Sequence, residues 1–192
     1  MISLDGVMQA PGGPKEDTSG GFKFGGWTVP YSDESMGEIL NQELSVPFDL
    51  LLGKRTYDIW KTYWPKQTGP VADPFNKASK YVVSNEPVDL AWKESFHIDS
   101  DVAAKIKTLK KEGDSQLHVW GSSVLIQTLL KNDLVDELRL RIYPITLGSG
   151  KRLFGEGTIP AAFELIDSRT LPSGVILANY KRAGEVKTGS FE

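Results

Sequence analysis

The chain has 192 residues, of which 40% are hydrophobic and 24% are charged, and its net charge is -3. No apolar run approaches the roughly 20 residues that a membrane span needs, and this charge gives no general attraction to nucleic acid or anionic lipid. The absence of cysteine excludes disulfides, thiolate nucleophiles and thiolate metal ligands. We therefore expect a soluble cytoplasmic protein with one domain over residues 1–183 and a polar tail over 184–192.

Residues 6–27 are rich in glycine and show no helical or strand period, which predicts a long loop. Long loops inside compact domains are commonly functional, and the alternative is a disordered surface segment. The rings of Phe22, Phe24 and Trp27 are costly to leave in water and could close over a flat ligand. We interpret the loop as a lid with Trp27 as a substrate-binding residue; the alternative places Trp27 in the core, where most aromatic residues lie.

The middle of the chain predicts alternating helices and strands. A first helix is expected from Ser32 or Ser35, because Ser35 and Glu38 have the spacing of a capping box. The later elements are a strand over 49–52, a helix after Gly53 that ends before Pro65, a strand over 80–84, a helix capped by Asp99 or Ser100, a strand over 116–120 and a helix over 122–131. This alternation predicts a parallel sheet wound by right-handed crossovers.

Two of these apolar strands run into a glycine and then directly into a helix, at Gly53 and at Gly121. The glycine permits close approach of a ligand, and the helix start offers N–H groups and partial positive charge. Two such corners indicate a dinucleotide, and Lys54 and Arg55 could meet an additional phosphate, which favours NADPH. Thr56 could bind phosphate through its N–H and hydroxyl. The alternatives are a solvated first helical turn for the two cations and a simple helix cap for Thr56.

Other candidate cofactor residues lie at neighbouring strand ends. Ser84 and Asn85 follow a strand, and ligands gather outside the carboxyl ends of parallel strands; otherwise these two residues are turn formers. Gly121, Ser122 and Ser123 could present backbone donors to a pyrophosphate, although a glycine and serine helix start is a weak signal by itself.

The C-terminal third predicts a different arrangement. Alternating apolar and polar residues over 138–143 predict a half-buried strand, and a turn signal separates two strands over 163–171 and 175–182. We therefore expect the sheet to end in an antiparallel hairpin. We also expect a homodimer. Its interface would use Leu138, Leu140 and Ile142, unless these residues belong to the core.

The sequence of segment 147–154 predicts a basic loop. Lys151 and Arg152 could bind an anionic substrate tail, and a solvated loop is the alternative. His97 and His118 are far apart in sequence and lack metal-ligand spacing, so we expect no metal site.

The order of these motifs resembles dihydrofolate reductase-like proteins, in particular the branch named for the C-terminal reductase domain of the riboflavin biosynthesis protein RibD and its small stand-alone bacterial members. The residues that carry the resemblance are Ser3-Leu4-Asp5-Gly6, Gly53-Lys54-Arg55-Thr56, Val82-Val83-Ser84, Gly121-Ser122-Ser123, 134–138 and 144–148. The resemblance implies a three-layer α/β/α fold with a mostly parallel, mixed sheet that ends in an antiparallel hairpin. It also implies a hydrophobic first strand, so we expect a segment preceding Met1; the alternative is a shortened first strand.

The resemblance also places Asp5 at the end of the first strand, near the nicotinamide. There it could orient substrate or assist proton transfer, for which burial would have to raise its pKa; the alternative is an aspartate that closes a turn. The implied reaction is hydride transfer from NADPH to a pterin-like or ribosylaminopyrimidine-like heterocycle. The alternative function is a non-catalytic protein on the same fold that binds a nucleotide, a flavin or an antifolate.

Overall fold

The computed structural model describes residues 1–155 and 158–191. They form two compact units: one contains Met1–Ser32 and the chain from Leu129 onward, and the other contains Asp33–Thr128. Each unit has its own four-stranded sheet. The single domain over residues 1–183 stays a prediction. The expected tail is exposed and without helix or strand as far as residue 191, and Glu192 lies outside the described residues.

The helices and strands follow the predicted alternation through the middle of the chain. In chain order they are β1 (Ile2–Ser3), α1 (Glu34–Glu43), β2 (Phe48–Gly53), α2 (Lys54–Tyr63), α3 (Ala72–Lys77), β3 (Lys80–Val83), β4 (Ser95–Ile98), α4 (Val102–Glu112), β5 (Gln116–Val119), α5 (Ser123–Lys131), β6 (Glu137–Tyr143), β7 (Phe163–Thr170) and β8 (Ile176–Arg182). Within the described ranges, no helix has the length and apolar character needed to cross a bilayer.

The unit formed by residues 33–128 is built around β2. Its strand order is β4-β3-β2-β5, and all three pairings are parallel. Leu50, Leu51 and Leu52 are at most 1% exposed. A central strand of a parallel sheet is covered on both faces, which explains the unbroken apolar run. The parallel sheet predicted from the alternation is therefore confirmed.

Two elements of this unit have no clear signal in the sequence. The helix α3 has six residues, fewer than two turns, and the strand β4 has four residues at the edge of the sheet. Phe96 in β4 is 47% exposed. Elements this short do not establish an apolar period, so the sequence pattern does not separate them from loop.

Both expected helix caps are wrong. The helix α1 begins after Asp33, whose Oδ1 accepts a hydrogen bond from the Met36 N–H at 3.1 Å, so this side chain takes the role expected of Ser35. The helix α4 begins after Asp101, which makes no side-chain cap bond. The Asp99 carboxylate instead pairs with the Lys105 ammonium at 2.9 Å and accepts from Ser100 Oγ at 3.1 Å.

The unit that contains both ends of the described chain has the strand order β1-β6-β8-β7. The strand β1 pairs in parallel with β6, whereas β8 pairs antiparallel with β6 and with β7. A tight turn joins β7 to β8: Gly174 has a φ of 81°, and the Leu171 N–H donates to the Val175 carbonyl at 2.9 Å. The antiparallel C-terminal hairpin is confirmed, and with the parallel sheet it gives the expected mixed α/β class.

The strand β6 differs from the half-buried strand that its alternation predicts. Leu138 is buried, but so are Arg141 and Tyr143 on the other face, at 4% and 3% exposure. The Tyr143 ring is covered by edge contacts from Trp27 at 5.2 Å and from Tyr31 at 5.8 Å. Aromatic residues from the N-terminal segment therefore cover a face that the sequence pattern assigns to solvent. A homodimer through the apolar face of β6 stays a prediction.

Two polar side chains are fully buried in the core of the β2 unit. The Tyr57 hydroxyl accepts from the Trp92 N–H at 3.2 Å and donates to Ser95 Oγ at 3.0 Å. The Lys80 ammonium donates to the carbonyl oxygens of Asn76 at 2.8 Å and Lys93 at 3.1 Å. Burial lowers the pKa of Lys80 to about 8, while nearby carboxylates partly oppose this shift.

Replacing Tyr57 by phenylalanine should destabilise the protein, because the buried Trp92 N–H loses its acceptor. We expect Tyr57→Phe to lower the free energy of unfolding by about 1–3 kcal/mol in urea titrations. The matched control is Tyr63→Phe, since the Tyr63 side chain is 53% exposed. Equal stability of the two variants would contradict the hydrogen bond to Trp92.

The titration of Lys80 should appear as a pH-dependent difference between the wild type and Lys80→Met. The pKa of Lys80 is about 8 in the folded state against an ordinary value of 10.5 for lysine, so between these values the unfolded chain binds more protons. The stability of the wild type relative to Lys80→Met should therefore rise between pH 8 and pH 10, by roughly 1–3 kcal/mol. Urea titrations of both proteins measure it, and a flat difference would show that Lys80 titrates normally.

Candidate cofactor and substrate sites

The predicted cofactor residues of the β2 unit start from one edge of its sheet. Gly53 at the end of β2 pairs with Val83 at the end of β3, and Leu51 pairs with Val119 at the end of β5. Because these strands are parallel, their carboxyl ends lie at the same edge, where ligands bind in open α/β sheets. The residues that follow each strand therefore leave the sheet on the same side.

The two glycine corners are joined by hydrogen bonds. The Gly53 N–H donates to Ser122 Oγ at 2.9 Å, and the Ser122 N–H donates to Thr56 Oγ1 at 3.1 Å. The Ser122 hydroxyl also lies 3.2 Å from Thr56 Oγ1 and 3.0 Å from the Trp120 carbonyl oxygen. The structure thus brings together three of the predicted cofactor residues: Gly53, Thr56 and Ser122. It also shows that the N–H groups of Gly53 and Ser122 already have acceptors within the protein.

The backbone of the second corner is left-handed at two consecutive residues. Gly121 has a φ of 56° and Ser122 a φ of 57°. A Cβ at Gly121 would lie 3.3 Å from Thr56 Oγ1, so a side chain there would crowd the first corner. The Ser122 carbonyl accepts from the Ile126 N–H at 3.0 Å, which makes Ser122 the residue that precedes α5.

The starts of α2 and α5 keep further backbone donors. The first N–H groups of a helix have no partner within that helix, and Gly53, which precedes α2, makes no side-chain cap bond. The N–H groups of Lys54 and Ser123 lie in these first turns. Together with the helix dipoles, these donors suit an anion.

The two cations of the first corner differ in their surroundings. The Lys54 ammonium forms an ion pair with Asp58 Oδ2 at 2.8 Å, and Lys61 contacts the other oxygen of Asp58 at 2.9 Å. Burial alone would raise the pKa of Asp58, but the hydrogen bonds from Lys54 and Lys61 lower it. Arg55 is exposed in the first turn of α2. A phosphate would therefore compete with Asp58 for Lys54.

Ser84 and Asn85 lie just past the end of β3. Ser84 Oγ accepts from the Glu86 N–H and donates to the Glu86 carbonyl, both at 2.9 Å, and His97 Nε2 lies 2.8 Å from the Ser84 carbonyl oxygen. These are the bonds of a turn-forming serine. Asn85 is exposed. Their contact with a cofactor stays a prediction.

The other predicted site residues belong to the unit that contains both chain ends. The Asp5 carboxylate accepts from Ser3 Oγ at 2.6 Å and from the N–H groups of Leu147 at 3.1 Å and Gly148 at 2.8 Å. These hydrogen bonds, with that of Ser3 the largest contribution, lower the pKa of Asp5 to about 2. A proton donor requires the opposite direction, so this environment favours the turn-closing alternative for Asp5.

Lys151 and Arg152 are engaged in contacts within the same unit. Lys151 Nζ pairs with Asp17 Oδ2 at 2.6 Å. The Arg152 guanidinium donates to the carbonyl oxygens of Asp5 and Gly148 and lies 3.6 Å from Asp5 Oδ2. These bonds tie segment 147–154 to the beginning of the chain. The binding of an anionic substrate tail by Lys151 and Arg152 stays a prediction.

Gln9 holds the long N-terminal loop in place. Its side chain is buried, donates to the carbonyl oxygens of Asp17 and Ser19, and accepts from the Lys151 N–H at 3.0 Å. Its backbone carbonyl accepts from Trp27 Nε1 at 2.8 Å. These bonds favour an ordered loop over a disordered segment. No local sequence signal marks Gln9, because its partners lie up to 142 residues away.

Trp27 is 5% exposed and packs edge-on against Tyr143. These are the contacts of a core residue, which is the alternative that the sequence left open. Phe24 is 52% exposed, in contrast to Phe22 at 6%. The loop therefore presents one of its three large aromatic rings to solvent.

The family model of the RibD C-terminal domain matches residues 1–177 of the chain. The chain belongs to the RibD C-terminal domain family. Membership places it in a reductase-like family and confirms the motif-based resemblance.

Relatives and solved structures extend the comparison. The uncharacterized protein YyaP of Bacillus subtilis strain 168 is 27% identical over 184 residues, 93% of this chain and 90% of that protein. The crystal structure of a putative riboflavin biosynthesis protein from Shewanella sp. PV-4 has a TM-score of 0.66 at 22% identity, with 95% of each chain covered. A pyrimidine reductase-like protein from Corynebacterium diphtheriae has a TM-score of 0.66 at 14% identity, over 96% of this chain and 90% of that one. These similarities support the α/β fold of the family.

The role of Asp5 as an anchor can be tested by Asp5→Asn. The amide keeps the shape but cannot accept all three bonds, so we expect a loss of about 1 kcal/mol in the free energy of unfolding at pH 7. Because the pKa of Asp5 is lowered from 3.8 to about 2, the ionised form stabilises the fold above pH 3.8 and loses this effect as the pH falls through 2.

Urea titrations over this pH range should therefore show the wild type and Asp5→Asn converging at low pH. The matched control, Asp114→Asn, changes an exposed carboxylate and should stay within about 0.5 kcal/mol of the wild type. A constant difference down to pH 2 would show that Asp5 is not held ionised by its neighbours.

Proposed function

We propose that this protein is an NADPH-dependent reductase that transfers a hydride to a pterin-like or ribosylaminopyrimidine-like heterocycle. The observation that carries the proposal is the pair of joined corners at the carboxyl edge of the parallel sheet, with Lys54 and Arg55 in the first helical turn of one of them. Membership of a reductase-like family supports the reaction class. Two structural neighbours, a putative riboflavin biosynthesis protein and a pyrimidine reductase-like protein, support the substrate class.

The hydrogen-bond donors and cations at the two corners are chemically suited to the phosphate groups of a dinucleotide. The starts of α2 and α5 offer N–H groups and partial positive charge for a pyrophosphate. Arg55 provides a planar set of donors for a 2′-phosphate, and Lys54 provides a point charge once Asp58 releases it. The net charge of -3 makes this binding local, because the molecule as a whole does not attract anions.

NADPH supplies the hydride when it is bound, so the chain has to bind, orient and exclude water. Asp5 is ionised at neutral pH, which suits a group that accepts hydrogen bonds from a substrate amide or amine rather than one that gives up a proton. In the proposed reaction Asp5 is therefore not the proton donor. The proton that accompanies the hydride comes from solvent.

A second candidate is a binding protein that retains the corners without the reaction. The lowered pKa of Asp5 favours it, since no carboxyl group in this position is poised to donate a proton. Such a protein would bind a nucleotide, a flavin or an antifolate. It would show no oxidation of NADPH with any heterocycle, and a bound flavin would be visible in the absorption spectrum of the purified protein.

The cofactor choice can be measured by titrating the protein with NADPH and NADH and following tryptophan emission. We expect a clear preference for NADPH, and Lys54→Ala combined with Arg55→Ala should weaken NADPH binding by about 10- to 100-fold, because charge-assisted hydrogen bonds are lost. The same double variant should change NADH binding by less than about threefold, because NADH lacks the 2′-phosphate.

The control is a double variant in a different helix. It combines Lys110→Ala with Lys111→Ala in the last turn of α4. This pair removes the same charge and should leave the preference for NADPH unchanged. No binding of either dinucleotide by the wild type would exclude the reductase proposal. If the variant with both Lys54→Ala and Arg55→Ala still prefers NADPH, the 2′-phosphate binds at a different place in the protein.

A further inference from the structure

The strand β7 lies at the edge of its sheet and is uncovered on both faces. It is the last strand in the order β1-β6-β8-β7, and among the described strands it pairs with β8 alone. Every residue from 164 to 170 is exposed, including Leu165 at 51% and Ile166 at 56%. An exposed apolar edge strand is a template for pairing with another chain, and proteins commonly protect such an edge with lysine or proline. The strand β7 contains neither residue type.

The register of β7 shows which of its backbone groups point away from β8. The Leu171 N–H donates to the Val175 carbonyl at 2.9 Å. In an antiparallel ladder, every second residue directs both its N–H and its C=O at the same neighbouring strand. Arg169, two residues before Leu171, therefore faces β8 as well. The backbone groups of Ser168 and Thr170 consequently face outward.

A bulge shifts this alternation in the first half of β7. The register changes between Leu165 and Asp167, so β7 has one residue more than β8 at this point. Before the bulge, the Ala183 N–H donates to the Ala162 carbonyl at 2.8 Å, so Ala162 is directed at the chain that continues β8. The outward positions in this half are therefore Phe163 and Leu165.

These outward positions match a second copy of the same strand. Antiparallel pairing about a two-fold axis at the bulge sets Phe163 opposite the partner's Thr170. The next outward pair is Leu165 with the partner's Ser168. Both members of each pair have outward backbone groups, so ladder hydrogen bonds can form on both sides of the axis. In a strand without the bulge, the same register would set outward residues against inward ones.

The charged side chains between these pairs are complementary in the same register. Glu164 lies opposite the partner's Arg169, and the two-fold axis repeats this pair on the other side. Both side chains are exposed within one chain. Shifting the register by two residues would instead set Glu164 opposite the partner's Asp167, and like charges directly opposite each other are destabilising. The charges therefore select one register.

We propose that β7 is the contact surface of a homodimer, in which two copies pair this strand antiparallel and their sheets continue across the two-fold axis. The pairing satisfies the outward backbone groups and covers Leu165 and Ile166 of both copies close to the axis. The apolar face of β6 is the alternative interface, but its Leu138 is already buried within one chain, at 7% exposure. The edge of β7 has no such cover.

Sedimentation velocity over a range of protein concentrations tests the proposal, with the wild type expected at twice the chain mass of 21.2 kDa. Glu164→Arg and Arg169→Glu each set like charges opposite each other at two places. Each single variant should therefore raise the dissociation constant of the dimer by about 10- to 100-fold. The double variant restores both opposite-charge pairs and should dimerise within about threefold of the wild type.

A backbone variant tests the ladder itself. Ser168→Pro removes an outward N–H that makes no bond to β8, and proline is tolerated in an edge strand at such a position. It should be monomeric at concentrations where the wild type is a dimer, with urea titration as the check on folding. The control Glu112→Arg reverses an exposed charge at the end of α4 and should leave the dimer unchanged.

The outcomes are decisive even if Ser168→Pro fails to fold. A wild type that sediments as a monomer at every concentration overturns the proposal. A dimer that withstands both single charge reversals also overturns it and leaves the face of β6 as the interface. Weakening by each reversal with recovery in the double variant supports it, because a merely destabilised chain would not recover. The result is independent of NADPH binding, since β7 contains none of the predicted cofactor or substrate residues.

Discussion

The burial of β2 on both faces determines where the candidate cofactor residues lie. A strand with three consecutive leucines can hide them all only between two neighbouring strands and under helices on both sides. Parallel neighbours require crossover connections, and each crossover has to leave the sheet at a carboxyl end. The starts of α2 and α5 are therefore consequences of a packing requirement. The chemistry of these helix starts then depends on the residues next to them in sequence, above all on Gly53 and Gly121.

The charged side chains at the carboxyl edge of the parallel sheet interact with their near neighbours and compete for the same partners. The protein is acidic overall, yet Lys54 and Arg55 stand in a helical turn where the dipole opposes cations. Asp58 offsets part of that cost by pairing with Lys54 and with Lys61. The spacing of Lys54 and Asp58, one helical turn apart, is visible in the sequence and would have revealed the pairing. An anion that binds here has to be a better partner for Lys54 than a carboxylate already in place.

Much of the architecture could be predicted from apolar runs, glycines and turn residues. The strand β2, both corners and the C-terminal hairpin follow from these local signals, and the structure confirms each of them. Local signals fail where a partner is distant or an element is short. The strand β4 has only four residues, the burial of Tyr143 depends on Trp27, and the carboxylate of Asp5 meets a backbone N–H 143 positions away. Such contacts exist only after the chain has folded.

Lys80 combines two properties that rarely occur together in one lysine. Its lowered pKa makes the amine more nucleophilic near neutral pH than an ordinary surface lysine, yet its side chain is fully enclosed and lies 4.4 Å from the ring of Trp92. An amine-directed reagent can reach it only in molecules whose core has opened. The rate at which Lys80 becomes acylated thus measures how often this part of the protein opens in solution, and a ligand that closes the sheet edge would slow that labelling.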